Sequence, residues 1–96
     1  MPTIAAPPSV ERPAVRVLFF GRVVDVFGRA RDIALPQGGC SLEELKRRLS
    51  GHVEGGAAAL AAPGVRAAID QQMTLDDDAF VRPGQEVAFF SAFSGG

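Results

Sequence analysis

Two glycines, Gly95 and Gly96, close the sequence after an apolar segment that ends at Phe90. Glycine lets a backbone enter a channel too narrow for side chains and adopt whatever φ a partner imposes. From Ser91 onward the extended chain can reach about 20 Å, and what it delivers is the carboxylate of Gly96. A carboxylate is a poor electrophile, so chemistry at this atom requires activation, typically as an acyl-adenylate that a sulfur or amine nucleophile attacks. Ser94, Gly95 and Gly96 are therefore the candidate reactive tail, the alternative being a terminus that is glycine by chance in a chain with 11 glycines.

The other side chains that could do chemistry form no constellation. Cys40 precedes a helix cap without a neighbouring base, and a single cysteine excludes an internal disulfide and a cysteine-built zinc site. His52 stands alone in a loop, with no second ligand at metal spacing. The acidic run 76–78 lacks the alternating spacing of a calcium loop and is expected to form a turn. We therefore expect no metal, no bound cofactor and no catalytic side chain in this chain.

Size and charge narrow the function further. The 96 residues suffice for one small core and leave no room for a deep catalytic cleft. A net charge of −1 disfavours nucleic-acid binding. Because neither a membrane span nor a signal peptide is evident in the sequence, the expected location is cytoplasmic. Residues 1–50 carry 8 basic and 5 acidic side chains (+3), and residues 51–96 carry 2 and 6 (−4). This split predicts an acidic surround for the terminus, suited to a basic partner.

Hydrophobic periodicity places the elements between a proline-rich arm, residues 1–14, and the tail, residues 91–96. Strands are predicted over 15–20, 31–36, 65–70 and 86–90, a short helix over 22–27, the main helix over 41–50, a helical turn over 57–62 and a type II turn over 82–85. The most economical packing puts the first and last strands side by side in a mixed sheet, with the segment 31–36 antiparallel to the first. With the main helix across one face, this predicts an α+β domain of the β-grasp type over residues 15–90.

The main helix has the clearest local signal. Ser41 can accept a hydrogen bond from the backbone N–H of Glu44, whose carboxylate can reach back to Ser41 in a capping box. Pairs of Glu43 with Arg47 and of Glu44 with Arg48 are expected along its surface. Leucines at 42, 45 and 49 form its buried stripe.

Strand parity predicts a partner surface. If the helix covers the face that carries Phe19 and Phe89, then Phe20 and Phe90 fall on the opposite, helix-free face. A soluble monomer normally covers such an aromatic patch, so we expect Phe20, Phe90 and Phe93 to bind a partner protein. The alternative is a small second cluster closed by the strand 65–70 and its loops.

These features together resemble the molybdopterin synthase small subunit, the MoaD-type, ubiquitin-like sulfur carrier. The resemblance covers residues 15–96 and rests on VLFF at 17–20, the short helix 22–27, the S-x-x-E start at 41–44, VRAAIDQ at 65–71, RPGQEVAFF at 82–90 and SGG at 94–96. It implies that an activating enzyme adenylates the Gly96 carboxylate with ATP and that a sulfur donor then converts it to a thiocarboxylate. It further implies that the tail is inserted into the large synthase subunit, within a heterotetramer of the two kinds of subunit. There, basic residues of the large subunit assist transfer of the sulfur to a pterin precursor, which forms the dithiolene that binds molybdenum. The chain itself would not be catalytic alone.

The sequence departs from the family pattern at three places. Ser91 and Ala92 stand where the family usually has a proline pair, which predicts a looser tail; Phe93 is bulkier than the usual aliphatic residue, and Asp70 replaces an asparagine. Three alternatives stay open: a carrier for tRNA thiolation, a carrier for thiazole synthesis, and a non-covalent β-grasp adaptor whose terminus is inert. The helix at 22–27 argues against the thiazole type, which typically lacks it.

Overall fold

The computed structural model describes residues 13–91. Its strands are β1 (Ala14–Phe20), β2 (Ala30–Ala34), β3 (Cys40–Ser41), β4 (Val65–Ile69), β5 (Gln72–Thr74), β6 (Phe80–Val81) and β7 (Glu86–Ser91). Its helices are α1 (Val24–Phe27), which follows a 3-10 turn at Gly21–Val23, α2 (Leu42–Ser50) and α3 (Gly56–Ala61). Five strands form one mixed sheet in the order β2-β1-β7-β4-β5, and β3 pairs with β6 separately. The β-grasp prediction is confirmed.

The two most apolar strands lie at the centre of the sheet, as the sequence predicts. β1 and β7 run parallel with Phe19 opposite Phe89 and Phe20 opposite Phe90. β2 pairs antiparallel with β1 on one side, and β4 pairs antiparallel with β7 on the other. Phe19 and Phe89 are 2% and 0% exposed, with ring centroids 6.1 Å apart. The core therefore lies between this face of the sheet and the helices.

All three helices pack on that face. Phe27 of α1 stacks on Phe19 with ring centroids 4.7 Å apart. Leu60 of α3 belongs to the same buried cluster. The three leucines of α2, at 42, 45 and 49, are at most 1% exposed. The opposite face of the sheet carries no helix from residues 13–91.

The start of α2 confirms half of the predicted capping box. Ser41 Oγ accepts the backbone N–H of Glu44 at 3.1 Å. The Glu44 carboxylate turns towards the helix surface instead of back to Ser41, and pairs with Arg48 Nε at 3.1 Å and Arg47 Nη2 at 3.6 Å. Arg47 thus takes Glu44 as its partner, not Glu43 as predicted, because one carboxylate can serve both the i, i+3 and i, i+4 positions.

The short elements differ most from the sequence prediction. The β4–β5 hairpin turns through Asp70 and Gln71, both with positive φ (49° and 72°), which is the geometry of a type I′ turn. Neither β5 nor the β3–β6 pair was predicted, since two or three residues are too few to show a period. The predicted type II turn before β7 is confirmed by Gly84, with φ 88°, and by the hydrogen bond from Gln85 N–H to the Arg82 carbonyl at 3.2 Å.

Candidate functional site

The helix-free side of the sheet, called the open face below, is organised in rows by the strand register. The middle row crosses all five strands with uncharged side chains: Ala30, Leu18, Ala88, Ala68 and Met73. Towards the end of β7, an aromatic row holds Phe20, Phe90 and Arg66. Towards the start of β7, a charged row holds Asp32, Arg16 and Glu86, with Arg16 Nε 3.4 Å from the Asp32 carboxylate. The open face therefore changes from charged to apolar and aromatic along the strands.

Strand parity correctly separates the aromatic residues of the two central strands. Phe20 is 53% exposed and Phe90 is half-buried, whereas their chain neighbours Phe19 and Phe89 lie in the core. Phe20 and Phe90 are register partners, so they form a continuous surface across β1 and β7. Phe93, the third predicted docking residue, lies outside the described residues.

The root of the tail is fixed to the end of β1. Ser91 is the last residue of β7, opposite Val65 of β4, and its Oγ accepts the backbone N–H of Arg22 at 3.3 Å. Gly21 makes this close approach possible: it has φ 77°, and a Cβ there would lie 3.1 Å from Ser91 Cβ and 3.3 Å from Ser91 N. Sequence reasoning missed this contact, because nothing in the chain reveals that Gly21 and Ser91 are neighbours. Ser94, Gly95 and Gly96 lie outside the described residues.

The predicted acidic surround concerns the terminus, which lies outside the described residues. Two arginines lie beside the tail root: Arg22, bonded through its backbone to Ser91, and Arg66, opposite Phe90. Two acidic residues of the C-terminal half, Asp70 and Glu86, lie instead at the start of β7. The antiparallel β4 explains this, because it carries Arg66 to one end of the sheet and Asp70 to the other. Counting charge along the chain cannot reveal such a separation.

Asp70, which replaces the asparagine of the family pattern, has a structural role. Its carboxylate accepts the backbone N–H of Glu86 at 3.0 Å and Nε2 of Gln85 at 2.9 Å. The hydrogen bond from Glu86, followed by that from Gln85, lowers the pKa of Asp70 below its ordinary value. The residue therefore ties the β4–β5 turn to the start of β7, at the end of the sheet away from the tail root.

The remaining chemical candidates contribute nothing to this site. Cys40 is buried in β3, and burial raises the pKa of its thiol, which opposes formation of a nucleophilic thiolate. His52 is exposed in the turn after α2. Among residues 13–91, no group of three or more His, Cys, Asp or Glu side chains is arranged to hold a metal ion. In the same part of the chain, no helix has the length and apolar character needed to cross a membrane.

One comparison with known proteins identifies a family, and another identifies the fold. The profile of the ThiS family matches residues 17–96. No curated protein is significantly similar to the chain in sequence.

Three solved structures have a similar fold. SAMP1 from Haloferax volcanii superposes with a TM-score of 0.68 at 17% identity, covering 86% of this chain and 99% of its own. Another Haloferax volcanii protein, solved in solution, gives 0.71 at 20% identity, over 88% of this chain and 87% of that one. Urm1 from Trypanosoma brucei gives 0.59 at 16% identity, over 88% and 97%. At these identities the structures establish the fold only.

Proposed function

This chain belongs to the ThiS family of ubiquitin-like sulfur carriers, and on that premise we propose that it carries sulfur as a thiocarboxylate on Gly96. In the proposed reaction the Gly96 carboxylate attacks ATP, forming the glycyl adenylate and releasing pyrophosphate. Sulfide delivered by a donor then attacks the acyl carbon, displaces AMP and leaves the thiocarboxylate. An activating enzyme supplies the ATP site, and the present chain supplies the carboxylate and the surface that positions it.

One observation carries this proposal: the family match extends over residues 17–96, including the terminal glycine pair, while β7 fixes the chain as far as Ser91. Five residues separate this fixed point from the reactive carbonyl, and an extended segment of that length spans at most about 18 Å. A tail of this length can enter a partner's active site while the domain stays outside. Ser94 and Gly95 would pass through the narrowest part of such a channel.

The open face is the proposed docking surface, with Phe20 and Phe90 as its aromatic anchors. Phe93, outside the described residues, is proposed as a third contact with the partner. Phe20 is 53% exposed beside a half-buried Phe90, and the uncharged middle row extends the same surface over all five strands. Interfaces draw most of their energy from a few buried aromatic residues, which this arrangement supplies next to the tail root.

Within the family, we propose that the chain is the small subunit of molybdopterin synthase. The sequence motifs over 15–96 support this assignment, as does the turn of 3-10 helix and α1 between β1 and β2, which thiazole carriers typically lack. The large subunit would accept the thiocarboxylate tail and transfer its sulfur to the pterin precursor. The present chain would hold no cofactor of its own.

The test is the intact mass of the full chain after incubation with the cognate activating enzyme, ATP and a sulfur source. Replacement of O by S adds about 16 Da, and deletion of Gly96 should abolish this gain while the domain stays folded. No mass gain with a competent enzyme would contradict the carrier function. Dithiolene formation by the thiocarboxylate form with a molybdopterin synthase large subunit tests the molybdenum branch, and sulfur transfer only to tRNA or to the thiazole precursor would reassign it.

A further inference from the structure

Arg66 places a positive charge inside the aromatic row. In the register it lies directly opposite Phe90, which in turn lies opposite Phe20, so the three side chains cross β4, β7 and β1 in one line. Arg66 is half-buried, and its Nη1 donates to the Val65 carbonyl at 3.2 Å. A guanidinium has five N–H donors, and this contact uses one of them.

No carboxylate of the described residues neutralises this charge. The ion pairs within residues 13–91 join Arg16 to Asp32, Lys46 to Asp77, and Arg47 and Arg48 to Glu44. Glu86 shares the open face but lies four residues before Phe90 on β7, about 13 Å away along the strand. Asp77, which lines the same small hollow as Arg66, is held by Lys46 Nζ at 2.8 Å.

A partner that covers Phe20 and Phe90 must also remove water from Arg66, because the three residues are neighbours in one row. Burying a charge without an opposite charge is strongly unfavourable, whereas a guanidinium paired with a carboxylate through two parallel hydrogen bonds is compensated. The partner surface that faces Arg66 therefore needs an acidic group.

We propose that Arg66 is a docking determinant that binds a carboxylate on the activating enzyme, at the rim of the channel that receives the tail. This rests on the proposed function, because the partner is the enzyme that adenylates Gly96. The activating enzyme is the favoured occupant because the proposed reaction requires it in every carrier branch that the sequence leaves open, whereas the large synthase subunit acts in the molybdenum branch alone.

The experiment measures binding of the full chain to the cognate activating enzyme at about 50 mM and about 500 mM salt, where the screening length falls from roughly 14 to 4 Å. Arg66→Glu should weaken binding at low salt by about tenfold or more, mainly through slower association, and the loss should shrink at high salt. Arg66→Leu should bind less tightly than the unchanged chain at low salt and depend less on salt. Arg66→Lys should recover part of the affinity, since it keeps the charge but loses the two parallel hydrogen bonds.

Arg82→Glu is the matched control. Arg82 is exposed near the start of β7, far from the tail root, with its guanidinium carbon 5.6 Å from the centre of the Phe80 ring. Its replacement by glutamate changes the net charge by the same amount as Arg66→Glu. The inference is overturned if Arg66→Glu and Arg82→Glu bind equally well, or if Arg66→Leu binds more tightly than the unchanged chain at low salt.

The mass measurement separates this inference from the proposed function. If the chain gains about 16 Da in a Gly96-dependent manner but Arg66→Glu binds normally, only the role of Arg66 is wrong. If the unchanged chain gains no mass with a competent enzyme, the carrier function itself fails. Circular dichroism of each variant confirms that a loss of binding does not come from unfolding.

Discussion

Separate alanine substitutions at two adjacent residues should show that Phe89 stabilises the fold and that Phe90 binds the partner. Phe89 is 0% exposed and stacks on Phe19, so Phe89→Ala removes a buried ring and leaves a cavity. Such a substitution costs about 3–5 kcal/mol, a large share of the roughly 5–15 kcal/mol that stabilises a domain. Phe90 is half-buried on the open face, and its replacement should cost about 1 kcal/mol or less.

The two free energies of unfolding are best measured by urea titration followed by far-UV circular dichroism, because the chain contains neither tryptophan nor tyrosine for intrinsic fluorescence. A loss of about 3 kcal/mol corresponds to a fall in melting temperature of at least roughly 12 °C for a domain of this size. Phe89→Ala should show this fall, and Phe90→Ala should melt within a few degrees of the unchanged chain.

Binding should show the opposite order. An aromatic anchor at the centre of an interface contributes about 2 kcal/mol or more, so Phe90→Ala should weaken binding to the activating enzyme or to the large subunit by about 30-fold. Folded Phe89→Ala, measured where it is still native, should bind within a few-fold of the unchanged chain. Equal destabilisation by the two substitutions would refute the assigned parity of β7, and unchanged binding of Phe90→Ala would refute the open face as the docking surface.

Four further substitutions test the backbone and the charges of the fold. Gly21→Ala should destabilise the domain by about 2 kcal/mol and Gly55→Ala by about 1 kcal/mol, because both glycines have positive φ but, of the two, only Gly21 faces a neighbour within 4 Å. Urea titration of the two variants isolates the contact with the tail root. Gln71→Gly should raise the free energy of unfolding by about 1 kcal/mol, since glycine adopts the φ of 72° without strain, and an unchanged value would argue against the type I′ turn. The folded pKa of Asp70 lies below its ordinary value of 3.8, so its stabilising effect is present above that pH and is lost as pH falls through the folded pKa. Asp70→Asn should therefore flatten the acid limb of the stability profile, and an equally steep limb in the variant would contradict the assigned hydrogen bonds.

The parts of the fold that the sequence predicts are those with a repeating or local signal. The parity of β1 and β7 separates Phe19 from Phe20 and Phe89 from Phe90 without knowledge of any contact. The hydrogen bond of Ser41 to Glu44 spans three residues and depends only on local geometry. These signals suffice for the β-grasp topology and for the placement of Phe20 and Phe90 on the open face.

The parts that the sequence does not predict depend on which distant segments become neighbours. The strands β3, β5 and β6 are too short to show an alternation of apolar and polar residues. Their positions are set by the strands with which they pair, β3 with β6 and β5 with β4. The sequence does not show which residues lie beside Arg66, and its place in the aromatic row follows only from the pairing of β4 with β7, which puts it opposite Phe90. The charge split of +3 and −4 does not show where the charges lie, because an antiparallel strand places neighbouring charges at opposite ends of a sheet.

The root of the tail shows how the structure compensates for a departure from the family pattern. Where the family usually has two prolines after the last strand, Ser91 stands at the first position, and the sequence predicted a looser tail. At this first position the structure pairs Ser91 with Val65, bonds its Oγ to Arg22 N–H and packs it against Gly21. Proline restricts a chain through its own ring, whereas this arrangement restricts Ser91 through neighbours on β4 and on the 3-10 turn that follows β1. We therefore expect these contacts to set the point from which the tail departs. Ser91→Ala should then impair adenylation more through a lower kcat than through a higher KM, and Ser91→Thr should restore it.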